Sequence, residues 1–547
     1  LANMSWWSHL LDLYSAPYYD ASATREYNRI YNNEDSVFVL RYYSKRSYGG
    51  NENARDPQCN PVTPYLSFDP GWNQYIDGSS NADLHYDAGV MMVPTNEALE
   101  AWWNDQGRDL RDEYKEWDSI PDNTLAKLIN VNMLSTFSEA VPSKFNTVLN
   151  DAKEVLGITE ADIDSCFMGC NGVVYLTNKV FTPAEYSSVA YPALAHASTM
   201  NVIYWAIDNR NFLPYLLSMD SKYALLIPTN DAMLSFIDPG SYGKTANVTD
   251  EETGETLEAE SPDLIEFRYD KTKPAASRVQ ASRYACTIDA DGNITKGDRT
   301  QVEVASNVIN TMLDQLLDQL IIVIPDKSMT MDDYVDQGYH YFKSKGGSMI
   351  RVSKNAAGQL CFEGGWQMEH NHRLIPSTER YPKENGVSYQ MEDQVPLGAQ
   401  RSLYMTLREH SEYQAFMNLL ENDYSDLLTQ KLSNKYNPGN AAVDNKNLKL
   451  FDNYNYTVYI PTNESIEKYQ EATEDGHSGK NAILPSWSEL EMGDENDEVI
   501  DSICKAEGWY ESNPNRATVL INVKAAMKEI VTDFIRYHVH DNSVAIG

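Results

Sequence analysis

Cysteine is scarce. Six residues in 547 (Cys59, Cys166, Cys170, Cys286, Cys361 and Cys504) are too few for a disulfide-built scaffold, so hydrophobic cores must supply the stability. Cys166 and Cys170 are the only close pair, and no further zinc ligands stand nearby, so ordinary buried thiols or one local disulfide are expected. Basic residues are also few. Lys and Arg number 44 against 80 Asp and Glu, a formal charge of −36. That balance excludes a nucleic-acid protein held by counterion release and a polybasic membrane anchor, and it leaves neutral or cationic partners. Long apolar runs are missing: Leu316 to Pro325, the most apolar stretch, is interrupted by Asp318 and Gln319 and is about half the roughly 20 residues a membrane helix needs. No glycine-rich phosphate loop follows a strand, and neither Gly-x-Ser-x-Gly nor His-Glu-x-x-His occurs. The chain starts at Leu1 without a charged or apolar leader, so a processed product whose targeting signal has been removed is expected.

What is present is length, aromatic content and repetition. A chain of 547 residues, 42% hydrophobic, is apolar enough to fold despite its charge and long enough for two to four domains. Tyrosine is in excess, 36 residues against 14 phenylalanines, as is common in extracellular binding surfaces. Three lines match one another: Val90-Met-Met-Val-Pro94-Thr95-Asn96-Glu97, Ala224-Leu-Leu-Ile-Pro228-Thr229-Asn230-Asp231 and Thr457-Val-Tyr-Ile-Pro461-Thr462-Asn463-Glu464. Each predicts a buried strand closed by proline, then Thr or Asn capping a helix whose first turn carries an acid, as in Ala98-Leu-Glu-Ala-Trp102-Trp103. A second line, Asn171-Gly-Val-Val-Tyr ending at Pro183 and Asn385-Gly-Val-Ser-Tyr ending at Pro396, predicts an Asn-Gly turn, an alternating strand and a closing proline.

Together with a helix running into Tyr-His, these lines resemble the fasciclin domain over most of the chain. The Tyr-His element stands clearly only at Tyr537-His538; by position Val131-Asn132 and Leu320-Ile321 replace it in the first two copies, give or take one residue. The resemblance implies an α+β protein of tandem fasciclin-like modules, each a β-sandwich or wedge flanked by helices. The boundaries expected are 1–185, 186–398 and 399–547, joined by short linkers at Tyr191-Pro192 and Val395-Pro396-Leu397-Gly398. Pro94 to Pro228 is 134 residues and Pro228 to Pro461 is 233, so the second module should carry inserted sequence, much of it loop-like, between Ile237 and Ser306 around a hairpin near Asp289-Ala-Asp-Gly-Asn293. A similar insertion, Gly476 to Asn515, is expected in the third module. That module stops before any second Asn-Gly strand, so either the native chain continues or an open sheet edge remains.

The function implied is non-enzymatic adhesion or ligand binding at a cell exterior, in particular a bacterial outer membrane reached through a lipid anchor on the removed N-terminus. The partner expected is a glycan or a surface or matrix protein; no nucleic acid, cofactor or metal is expected, and no transmembrane segment lies in this chain. Trp72, Tyr75 and Tyr86, beside Tyr65 and His85 in a loop-like region, offer apolar faces and hydrogen bonds suited to a sugar ring, and Trp366 in Gly364-Gly-Trp-Gln is a weaker candidate for the same role. Packing of these aromatics into their modules is the competing expectation. His370-Asn-His372 and His538-Val-His540 would share a face on a strand, as a metal site requires, although ten histidines make such pairs plausible by chance. The rival functions are a carbohydrate-active hydrolase with carboxylates among the insertions, and a structural spacer of a surface complex.

Overall fold

Apolar runs that end in Pro-Thr-Asn stop as strands there because proline cannot donate to a ladder, and at Thr95 and Thr462 the threonine oxygen then opens a helix. The computed structural model describes residues 2–45, 56–71 (except 59, 61 and 64), 89–134, 136–150, 152–169, 172–249, 254, 256–401, 403–421, 456–474, 501–540 (except 503, 506 and 507) and 544. The protein is a mixed α/β chain with several sheets. Its internal contacts divide it into two units, one of Leu1–Asn230, Ile324–Thr330 and Glu379–Gln390, the other of Asp231–Val323, Met331–Thr378 and Met391–Gly547.

In the first unit the strand Gly89–Pro94 is buried along its whole length. It lies parallel to Gly172–Thr177 and antiparallel to Met133–Leu134, with Ile163–Gly169 antiparallel on the outer edge. Val90, Met92, Phe145, Val148, Val173, Tyr175 and Phe181 share one core against this sheet. The strand Lys222–Pro228 lies beside Gly386–Met391, whose other neighbour is the antiparallel strand Arg380–Lys383. Here the Asn-Gly strand is buried throughout rather than alternating. Tyr191 and Pro192, expected as a linker, open the buried helix Tyr191–Ala195.

The second unit corrects the expectation of loops between Ile237 and Ser306. The segment forms a sheet in the order Phe236–Ile237, Asp263–Tyr269, Val279–Ile288, Thr256–Glu260, Thr245–Thr249, with Ile294–Gln301 also paired to Val279–Ile288. Alternation in Val279-Gln-Ala, shifted by one residue at an irregularity near Arg283 and resumed in Tyr284-Ala-Cys, buries Val279, Ala281, Tyr284 and Cys286, and a period of two makes a strand. The hairpin around Asp289 is present: Asp289 Oδ1 accepts the backbone N–H groups of Asp291 and Asn293. A second sheet orders Tyr341–Lys343, Met349–Lys354, Leu360–Glu363 and Ile375–Pro376. Further on, Leu407, Phe416, Leu420, Ile466, Val519, Val531 and Ile535 make a helical core. The strand expected after Tyr456 is only Thr457–Val458, half-buried and paired with Val539–His540.

Three helix-to-strand joints recur in chain order. The helices Asp122–Val131, Ser306–Leu320 and Arg516–Tyr537 end at residues capped by Asn132, Ile321 and His538, and each runs at once into a short strand.

Candidate functional site

The asparagine of each Pro-Thr-Asn line reaches back to a helix that precedes it. Asn230 Oδ1 accepts from Val202 N at 3.2 Å while its Nδ2 donates to Ser198 O at 3.3 Å, at the kink marked by Met200 inside the helix Ala197–Asn209. Asn463 Oδ1 accepts from Ala415 N and its Nδ2 donates to Ser411 O, both at 2.9 Å, where a 3₁₀ turn meets the helix Gln414–Glu421. In an unbroken helix those carbonyl and N–H groups, four residues apart, would bond one another; the side-chain amide spans the break instead. Asn96 makes the corresponding contact, accepting from Trp6 N at 3.2 Å and donating to Ser5 Oγ at 3.1 Å at the start of Ser5–Asp12. Thr95 and Thr462 cap the helices that follow, accepting from Ala98 N at 3.1 Å and Ser465 N at 3.3 Å. After Thr229 the expected helix is a single 3₁₀ turn, Ala232–Leu234.

The Asn96 contact brings Trp6 beside the helix Asn96–Asn104 and so builds a cleft of about 590 Å³ within the first unit. Its walls are Trp6, Trp103 and Trp117, with Leu99 between them and Asn96, Glu100, Asn104, Arg111, Glu116 and Asp118 around the rim. Trp103 stacks on Trp117 with ring centroids 4.2 Å apart, and Trp117, itself buried, stacks on buried Trp102 at 5.9 Å, so Trp117 backs the aromatic wall that Trp103 presents. Trp6, which lines the same cleft, is 51% exposed. Polar rim groups are held in place: His9 Nε2 lies 2.7 Å from Asp118 Oδ1, and Arg111 donates to Asn104 Oδ1 at 2.9 Å and to Asp112 Oδ1 at 3.0 Å. Acids and bases are mixed along the rim, so the cleft presents no strong field of one sign. Rigid apolar faces beside positioned amides and carboxylates suit an uncharged, hydroxyl-rich ring.

Trp72, Tyr75 and Tyr86 lie outside the described residues, as do Asn171 and Cys170. Trp366 is corrected: it is fully buried on the helix Gly365–Glu369, with His370 stacked on it at 4.0 Å, so it has no face for a ligand. Cys166 is exposed on an edge strand rather than buried. The pair His370 and His372 is not on a strand. Asn371 and His372 have φ of 48° and 55°, and this left-handed turn sends His370 Nε2 to Glu260 at 3.2 Å and His372 Nδ1 to Glu363 at 2.9 Å. His538 Nδ1 donates to Phe534 O at 2.7 Å, whereas Tyr537 is 89% exposed. Among the described residues no three His, Cys, Asp or Glu side chains are grouped to hold a metal ion, and no helix is long and apolar enough to cross a membrane.

Sequence reasoning missed Trp6, Trp103 and Trp117 as a group. One signal was available: six of the ten tryptophans fall in the first 117 residues, at positions 6, 7, 72, 102, 103 and 117.

No family model matches the chain, and no curated protein matches it. Among solved structures it is similar to a FAS1 domain pair from the insect cell adhesion molecule fasciclin I, at 12% identity over 57% of this chain and 89% of that one, with a TM-score of 0.22. A superposition at that score establishes no shared function.

Proposed function

We propose that the protein is a non-enzymatic binding protein of the cell exterior and that it captures a neutral saccharide in the Trp6–Trp103–Trp117 cleft. The observation that carries this reading is the exposed Trp6 face set beside a stacked tryptophan pair and a rim of fixed hydrogen-bonding groups. Stacking on such a face contributes about 1 kcal/mol beyond the area it covers, and the rim groups select hydroxyl orientation. The tandem fasciclin-like arrangement, an adhesive role and attachment to a bacterial outer membrane through a lipid belong to the same proposal; the motif lines support the first of these.

The test is a glycan array followed by calorimetry on the wild type, Trp6→Ala and Trp103→Ala. A hit on the array should weaken about tenfold or more in either variant, the loss expected when roughly 1.4 kcal/mol of contact is removed. Absence of any saccharide hit removes the reading. Release of new reducing ends from a bound oligosaccharide would overturn its non-enzymatic part and favour a hydrolase built on rim carboxyls.

A further inference from the structure

A larger cavity, about 700 Å³, lies in the same unit but is lined by different residues. Its apolar wall comes from Val131, Leu134, Val148, Leu213 and Leu217. Its polar end holds a closed triangle: Lys127 Nζ donates to Glu185 Oε2 and to Tyr204 Oη, each at 2.6 Å, and Tyr204 donates to Glu185 Oε1 at 2.9 Å. Glu185 is 1% exposed. Burial pushes its carboxyl up, and the Lys127 ammonium pulls it back down. A buried ion pair is a poor source of net stability, and when it lines a cavity it marks a candidate site.

We propose that this cavity binds a small monocationic amphiphile, a primary amine attached to an apolar body. Three carboxylates line it, Glu139, Glu185 and Asp208, against the single ammonium of Lys127. Glu139 is paired outward with Lys144 at 3.1 Å and Glu185 inward with Lys127. Asp208, exposed in the last turn of the helix Ala197–Asn209, is the third carboxylate, and its proximity adds to burial in raising the pKa of both Glu185 and Tyr204. An incoming ammonium completes that account at Asp208 while its apolar body covers Val131, Leu134 and Leu217. An anion would meet Asp208 and would find two of Lys127's three N–H groups already committed. Of the uncharged polar lining residues, Asn130, Thr147 and Asn150 are engaged in local bonds to Ser67 and Tyr65, Lys144, and Ala152 and Glu154.

Calorimetry with 2-phenylethylamine and with 3-phenylpropionate, similar bodies of opposite charge, tests this on the full chain. The amine is expected to bind the wild type at least tenfold more tightly than the acid, and Asp208→Asn, a change at an exposed helix end, should remove most of that preference. Leu213→Ala should weaken the amine severalfold with the preference retained. Failure of the amine to bind at millimolar concentration, equal binding of the acid, or an unchanged preference in Asp208→Asn would overturn the proposal. None of these outcomes depends on saccharide binding.

Discussion

Gly386 is a residue whose identity is dictated by a neighbouring backbone. A Cβ built there would stand 2.0 Å from Tyr223 O, and at the matching Gly172 it would stand 2.2 Å from Gly89 O. Both glycines also adopt positive φ, 148° and 157°. The Asn-Gly lines are legible as turns, but the stronger reason for glycine is the close approach of a strand far away in sequence, which no local pattern displays. Gly386→Ala is expected to cost about 2 kcal/mol or more, because the clash is with backbone rather than a side chain that can swing aside; a urea midpoint unchanged from wild type would contradict this. Trp366 makes the converse point. An aromatic preceded by two glycines is readable as an exposed platform, yet close approach of Leu397 and Ala399 is what requires Gly364 and Gly365, and the ring itself is buried with His370 stacked on it.

At the scale of elements, the Pro-Thr-Asn line acts as two devices in series. At Thr95 and Thr462 the threonine serves the helix that follows, and in all three lines the asparagine serves an earlier one. The first role is readable because its partner lies three residues on. The second is hidden, since the partners of Asn230 lie 28 and 32 residues upstream and those of Asn463 lie 48 and 52 upstream. Replacing either asparagine by alanine leaves a carbonyl and an N–H at a helix break without the amide, for an expected loss of about 1–3 kcal/mol. Asn→Asp keeps the acceptor and loses the donor, and should fall between wild type and Asn→Ala in chemical denaturation. Equal stability of all three forms would show that water replaces the clamp at no cost.

At the scale of the whole molecule, stability should depend on pH through Glu260 and His370. Burial lowers the His370 pKa, but the bond to Glu260 and the Nδ1 donation to the Trp366 carbonyl outweigh it, and the net shift is upward. The His370 bond is in turn the largest reason that Glu260 is held below its usual range, burial acting against it. A raised histidine contributes stability that is full below its ordinary value near 6.5 and is lost as pH rises through the shifted value; a lowered carboxylate contributes above about 4.5 and is lost as pH falls. The pair therefore supports folding most between those two values. Its worth is no more than about 1 kcal/mol, because the Glu260 carboxylate is partly solvated. The melting temperature should fall between pH 6 and pH 8.5, and His370→Gln should flatten that decline; an equal decline in the variant would assign it elsewhere.

The amino-acid pattern by itself determined the full strand-to-helix joint at Pro94-Thr95-Asn96, the helix ends at Val131, Leu320 and Tyr537, and the lack of a long apolar run, because each follows from periodicity, capping chemistry or local apolar content; it did not foresee that the second joint leads into a single 3₁₀ turn or that the third strand has only two residues. Only the tertiary structure decided that Trp6 and Trp103 line one cleft, that Lys127 meets Glu185, and that residues 237–306 make a sheet. The first two rest on contacts between segments tens of residues apart; the sheet is assembled largely from hairpins of neighbouring strands, where burial and backbone hydrogen bonding select one register among many that the local sequence tolerates equally well.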